Sequence, residues 1–83
     1  MSTTVPSTIH QELLNRLLVT WGDNVREARR ERGLTQGELA TAAGLAQQSL
    51  SKIERGETCL HDRHKLALSF VLGAHPSRLF AWP

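Results

Sequence analysis

The stretch from residue 35 to residue 56 constrains the fold most, because it reads as two short helices joined by a tight turn. Thr35 is a good N-cap, and Glu38 three residues later completes a capping box. Gly44 is expected to end the first helix, since glycine enters the left-handed conformation without a side-chain clash. A second helix is predicted over residues 47–55, and a further glycine stops it.

The second of these helices has two different faces. Leu50 and Ile53 are three residues apart, which places them on one side and predicts that this side faces the core. The outward stripe carries amides, a hydroxyl and cations, on Gln47, Gln48, Ser51, Lys52 and Arg55. Amides and cations read base edges and phosphates in the major groove of DNA. The pattern favours a DNA-reading helix, with an ordinary solvated face as the alternative.

Composition sets the outer limits. A chain of 83 residues predicts one domain with a small core. Ten Lys and Arg against eight Asp and Glu give a formal charge of +2, a mild basic bias. The single cysteine, Cys59, excludes an internal disulfide and fits a reducing compartment. No apolar run of about 20 residues and no secretory signal pattern is present, so we expect a cytoplasmic protein without a membrane segment.

Helical periodicity covers the rest of the chain, without strand alternation or hairpin turns, so the predicted class is all-α. Gly22-Asp23 is predicted to separate an N-terminal helix from one over residues 24–32. Further helices are expected over residues 62–72 and from Pro76 onward.

A resemblance to a known family rests on the segment RERGLTQGELATAAGLAQQSLSKIERGET. It resembles the helix-turn-helix of the lambda-repressor and Cro-like family, also called the XRE family, and the similarity extends over about residues 21–80. The resemblance implies a lambda-repressor-like five-helix DNA-binding domain, to which this chain adds an N-terminal helix. The expected organisation is a disordered tail (1–7), the additional helix (8–21), the helix-turn-helix domain (22–80) and a C-terminal tail (81–83).

The resemblance also implies roles for individual residues. Base reading is expected from Gln47, Gln48, Ser51 and Lys52. Contacts to the DNA backbone are expected from Thr35, Gln36, Arg55 and Thr58, and Gln36 is also expected to brace the recognition helix. Arg29 and Glu54 match a pair that forms an inward salt bridge in some relatives. In phage relatives the loop after the recognition helix is often basic, whereas here residues 57–62 contain no Lys or Arg.

The N-terminal helix is unusually apolar, through Leu13, Leu17, Leu18 and Trp21. These side chains are expected either to cap the core or to form a dimer interface, because they exceed what a small domain covers. Binding at a membrane surface is the least favoured interpretation, since Arg16 is the only arginine or lysine on the polar face of this helix.

Catalytic and metal chemistry find little support. Cys59, His61 and His64 have suggestive spacing, but a structural zinc site needs four ligands. Ser51, His61 and Asp62 contain the residue types of a catalytic triad, but no nucleophile-elbow motif is present. We therefore expect no enzyme, no metal and no cofactor.

Two functions remain open. The favoured one is a sequence-specific transcriptional regulator, preferably a repressor, that reads a palindromic operator as a homodimer, because one helix reads only a few base pairs. The alternative is a protein-interaction module, such as the antitoxin of a toxin–antitoxin pair, which uses the same domain for autoregulation.

Overall fold

The computed structural model describes the backbone of residues 7–81 and the side chains of residues 10–81. Within these residues the fold is all-α, as predicted, and contains no strand. The helices are α1 (Ser7–Glu31), α2 (Gln36–Ala43), α3 (Gln47–Glu54), α4 (Asp62–Leu72) and α5 (Pro76–Leu79). The predicted tail at residues 1–7 lies almost wholly outside the described part, although Ser7 is already helical. Of the predicted C-terminal tail, only Ala81 is described.

Helix α1 is one continuous helix of 25 residues, about 37 Å long at 1.5 Å per residue. The predicted break at Gly22-Asp23, and with it a separate helix over residues 8–21, is wrong. Asp23 does not begin a new helix; its carboxylate accepts a hydrogen bond from Arg26, one turn further along α1. The additional N-terminal segment is therefore a continuous extension of the first helix of the domain.

Gly22 lies inside α1 because the end of α3 comes very close there. A methyl group added at Gly22 would meet the carbonyl oxygen of Ile53 and would lie 2.7 Å from that of Glu54. Glycine costs a helix interior about 1 kcal/mol relative to alanine, but here it permits direct backbone contact between α1 and α3. The residue is a close-approach glycine and not a helix stop.

Helix α2 begins and ends as its sequence predicts. Thr35 Oγ1 accepts from the Glu38 backbone N–H at 3.1 Å, and Glu38 Oε1 accepts from the Thr35 N–H at 2.9 Å. The hydrogen bond that the Glu38 carboxylate accepts from the Thr35 backbone, followed by its interaction with the Thr35 side chain, lowers the pKa of Glu38. Gly44 ends the helix in the left-handed conformation at φ 72°. The capping box and the glycine C-cap are both confirmed.

The core collects apolar side chains from all five helices and the residue after α5. Its buried members are Leu17, Leu18, Trp21, Val25, Leu39, Ala40, Leu50, Leu68, Leu72, Leu79 and Phe80. The rings of Trp21 and Phe80 meet edge to face at 6.1 Å, and Trp21 Nε1 donates to the Ala81 carbonyl at 2.9 Å. The C-terminal segment thus returns along α1 and seals its apolar face.

This packing corrects the predicted dimer surface. Leu17, Leu18 and Trp21 are only 7%, 6% and 4% exposed, because they pack into the core of their own chain. Leu13 alone among the four predicted contacts is open, at 51% exposure. The apolar helix therefore caps the core for most of its length. In the part of the chain that the structure describes, none of the helices has the length and apolarity that crossing a membrane requires.

Candidate nucleic-acid interface

Helices α2 and α3 pack across the tight turn at Gly44, where the Leu45 N–H donates to the Ala40 carbonyl at 2.8 Å. From α3, Leu50 and Ile53 are buried beneath the turn. Because these residues hold one side of α3 against the core, the opposite side faces outward. That side, the reading face, carries the residues predicted to read bases and contact phosphates. Gln47, Gln48, Lys52 and Arg55 are exposed there, and Ser51 is half-buried.

The two glutamines at the start of α3 have different surroundings. A methyl group added at Gly37 would lie 3.4 Å from Gln47 Oε1, so the Gln47 amide rests beside the first turn of α2. Gln48 follows it on the exposed face of α3. The start of α3 thus presents one amide next to the N-terminus of α2 and another further out.

The orientation of α3 is held by a buried carboxylate at its C-terminal end. The side chain of Glu54 is 1% exposed. Its carboxylate accepts hydrogen bonds from Arg29 Nε at 2.7 Å and from Arg29 Nη2 at 3.1 Å. Gln36 Nε2 donates to the same carboxylate at 3.1 Å. The hydrogen bond with Glu54 raises the pKa of Arg29. One carboxylate therefore joins α1, α2 and α3.

This network bears on two of the expected roles. The salt bridge between Arg29 and Glu54 is present, and Arg29 Nη1 also donates to the Leu34 carbonyl at 2.9 Å between α1 and α2. Gln36 braces α3 through Glu54, while its contact to a DNA phosphate stays a prediction. Thr35 is exposed at the N-terminus of α2, where the helix dipole and free N–H groups favour an anion.

At the C-terminal end of the reading face, sequence reasoning missed the role of Glu57. Arg55 donates through Nη1 to Ser51 Oγ and through Nε to the carboxylate of Glu57. Glu57 lies just past the left-handed Gly56, at φ 71°, which turns the chain back toward Arg55. The signal that could have revealed this pair is the opposite charge of Arg55 and Glu57 on either side of a glycine. Thr58 is half-buried beside them.

The cysteine–histidine segment does not assemble a metal site. The rings of His61 and His64 meet edge to face at 5.3 Å, and Cys59 is exposed. Over the described residues, no three His, Cys, Asp or Glu side chains converge in a way that could hold a metal ion. Burial, followed by the nearby charges of Arg63 and His61, lowers the pKa of His64.

Helices α2 and α3 meet at a tight turn, and Glu54 holds α3 so that its amides and cations are exposed. This arrangement is a helix-turn-helix unit of the DNA-binding kind. Residues 25–79 match the family model described as Helix-turn-helix, which covers well over half of the chain. The chain belongs to this helix-turn-helix family of DNA-binding transcriptional regulators. The family and the fold are those of regulators and not of enzymes.

Two similar proteins place the chain within that family. The restriction-modification controller protein C.AhdI from Aeromonas hydrophila superposes with a TM-score of 0.73 at 35% identity, over 76% of this chain and 96% of its own. An uncharacterized HTH-type transcriptional regulator, y4dJ, from Sinorhizobium fredii is 51% identical over 35 residues. That match spans 42% of this chain and 46% of the relative, just under half its length.

Proposed function

We propose that this protein is a sequence-specific transcriptional repressor that inserts α3 into the major groove of a palindromic operator. The observation that carries the proposal is the outward face of α3, with Gln47, Gln48 and Lys52 exposed above the Glu54 brace. A fixed orientation matters because base reading needs hydrogen bonds of defined geometry. The names of the two relatives, a transcriptional regulator and a restriction-modification controller, support the same function.

The chemistry of this face matches the edges of bases. A glutamine amide pairs bidentately with N6 and N7 of adenine, and a good pair discriminates against other bases by about 1–3 kcal/mol. Lys52 favours guanine or a phosphate, and the Ser51 hydroxyl reaches the same groove. Register along the duplex would come from the predicted backbone contacts of Thr35, Gln36, Arg55 and Thr58, which carry no sequence information.

The proposal includes a homodimer. A recognition helix of eight residues reads only a few base pairs, and two copies on half-sites roughly 34–36 Å apart provide useful specificity. With most of the predicted α1 contacts buried, the largest open apolar side chains are on α4. Phe70 is 89% exposed and Leu66, one turn earlier, is 61% exposed. We assign this pair to a second copy, in which two α4 helices meet about a two-fold axis.

Repression follows from occupancy of a promoter in the cytoplasm. The antitoxin alternative rested on the apolar N-terminal helix and the aromatic C-terminus as surfaces for a partner protein. Leu17, Leu18, Trp21 and Phe80 occupy the core instead, so no specific observation favours that alternative.

Two steps test base reading. Selection of bound sequences from a random duplex pool gives the operator, and its symmetry reports whether two copies bind. Gln48→Ala is then compared on the selected duplex and on a scrambled duplex. We expect weaker binding to the selected duplex by about 1–3 kcal/mol and unchanged binding to the scrambled one.

The matched control for this test is Gln11→Ala. Gln11 is an exposed glutamine on α1 whose Nε2 donates to Asn15 Oδ1 at 3.1 Å, so its loss should leave both duplexes unaffected. Equal losses on the two duplexes with Gln48→Ala would mean a phosphate contact. No loss on either duplex would contradict base reading by this residue.

A further inference from the structure

The end of the reading face holds an acidic group where a DNA-binding surface ordinarily avoids one. Arg55 and Glu57 are 53% and 52% exposed in their side chains and are joined by an ion pair. The same guanidinium also donates to Ser51 Oγ. Two of the three guanidinium nitrogens of Arg55, Nε and Nη1, therefore donate within its own chain, on the surface that the proposed function turns toward DNA.

Carboxylates and phosphates compete for the same guanidinium, because both accept its N–H groups in the same geometry. A phosphate can use Arg55 fully only by displacing Glu57, and the remaining carboxylate then repels the DNA backbone. Exposed ion pairs are weak in themselves, so the pair moderates the interaction with phosphate and does not abolish it. Its effect falls on the electrostatic part of binding, which is independent of sequence.

We infer that Glu57 is a specificity-setting residue, which acts by holding Arg55 against Ser51 and so weakening its contact with the DNA backbone. Phosphate contacts strengthen binding to every duplex, whereas the neutral amides of Gln47 and Gln48 distinguish sequences. Weakening one phosphate contact therefore raises the ratio of specific to non-specific affinity. This inference rests on the proposed function of α3.

The test is Glu57→Gln, which removes the charge and keeps the shape. Fluorescence anisotropy measures the affinity for the selected duplex and for a scrambled duplex of equal length, between about 50 and 200 mM salt. We expect binding to the scrambled duplex to tighten by up to about tenfold at the lower salt, because the released guanidinium can donate a charge-assisted hydrogen bond to a phosphate. The salt slope of log affinity should steepen by about 0.9, and the ratio of selected to scrambled affinity should fall.

Two comparisons separate this role from a simple change of net charge. Glu27→Gln removes one carboxylate from the groove between α1, α4 and α5, away from α3, and should leave the salt slope unchanged. In an Arg55→Gln background, Glu57→Gln should lose most of its effect, because no guanidinium remains to be released. Far-UV circular dichroism and urea unfolding check that each variant folds like the wild type.

The outcomes distinguish failure of this inference from failure of the proposed function. If Glu57→Gln behaves like Glu27→Gln, or acts equally with and without Arg55, the specificity role of Glu57 is wrong while base reading by α3 stands on the Gln48 result. If the wild type does not distinguish the selected from the scrambled duplex, the proposed function itself fails.

Discussion

At the residue scale, the geometry of the reading face depends on Glu54. Its carboxylate accepts hydrogen bonds from Arg29 on α1 and Gln36 on α2 while lying at the end of α3. The family resemblance predicted the pair with Arg29 and a brace from Gln36 to the recognition helix, but it did not place both donors on Glu54. Sequence spacing could not show that the two donors share one acceptor, since that depends on how three helices meet.

Glu54→Ala is expected to destabilise the protein by about 3–5 kcal/mol, because it leaves the guanidinium of Arg29 buried without its partner. The free energy of unfolding in urea measures the change. The comparison is Arg29→Met combined with Glu54→Leu, which replaces the pair by apolar side chains and should cost much less or nothing. A loss that is equally large in the double variant would mean that side-chain shape, and not the unpaired charge, sets the penalty.

At the element scale, the sequence predicted helix ends that depend on local hydrogen bonds more reliably than features that depend on how helices pack. The start and end of α2 are set by Thr35, Glu38 and Gly44, whose hydrogen bonds lie within a few residues, so they were predictable. Gly22 was misread, since a glycine is typical both of a helix end and of a site where another backbone approaches. Only the position of α3, a non-local fact, decides between these two interpretations.

Gly22→Ala tests that explanation. Alanine favours the helix over glycine by about 1 kcal/mol, but the new methyl group would press on the Ile53 and Glu54 carbonyls. We expect a net loss of about 1–3 kcal/mol, typical of overpacking, measured as a lower urea midpoint. Gly37→Ala is the matched change in α2, where the nearest atom lies 3.4 Å away, and it should leave stability equal or higher. A stabilised Gly22→Ala protein would contradict the close approach of α3 to this residue.

At the scale of the whole molecule, the all-α class and the outward face of α3 followed from periodicity, caps and family resemblance. The surface of the N-terminal helix did not follow from them. Its leucines form an apolar stripe in the sequence, but only the packing of the other helices against α1 determines that Leu17 and Leu18 are covered. The same packing leaves Phe70 exposed, and the sequence pattern did not distinguish Phe70 from the buried residues of α4.

Phe70→Ser therefore tests the assembly of the molecule. Phe70 is 89% exposed, so its replacement should not destabilise the monomer, whereas a dimer that buries it would lose an aromatic anchor. We expect sedimentation equilibrium to shift from dimer to monomer, with weaker binding to a full palindrome and unchanged binding to a single half-site. Leu13→Ser, at the exposed leucine on α1, is the control and should remain dimeric. If instead Leu13→Ser gives monomers and Phe70→Ser does not, the interface lies on the N-terminal extension of α1, and the two recognition helices must be related by a different two-fold axis.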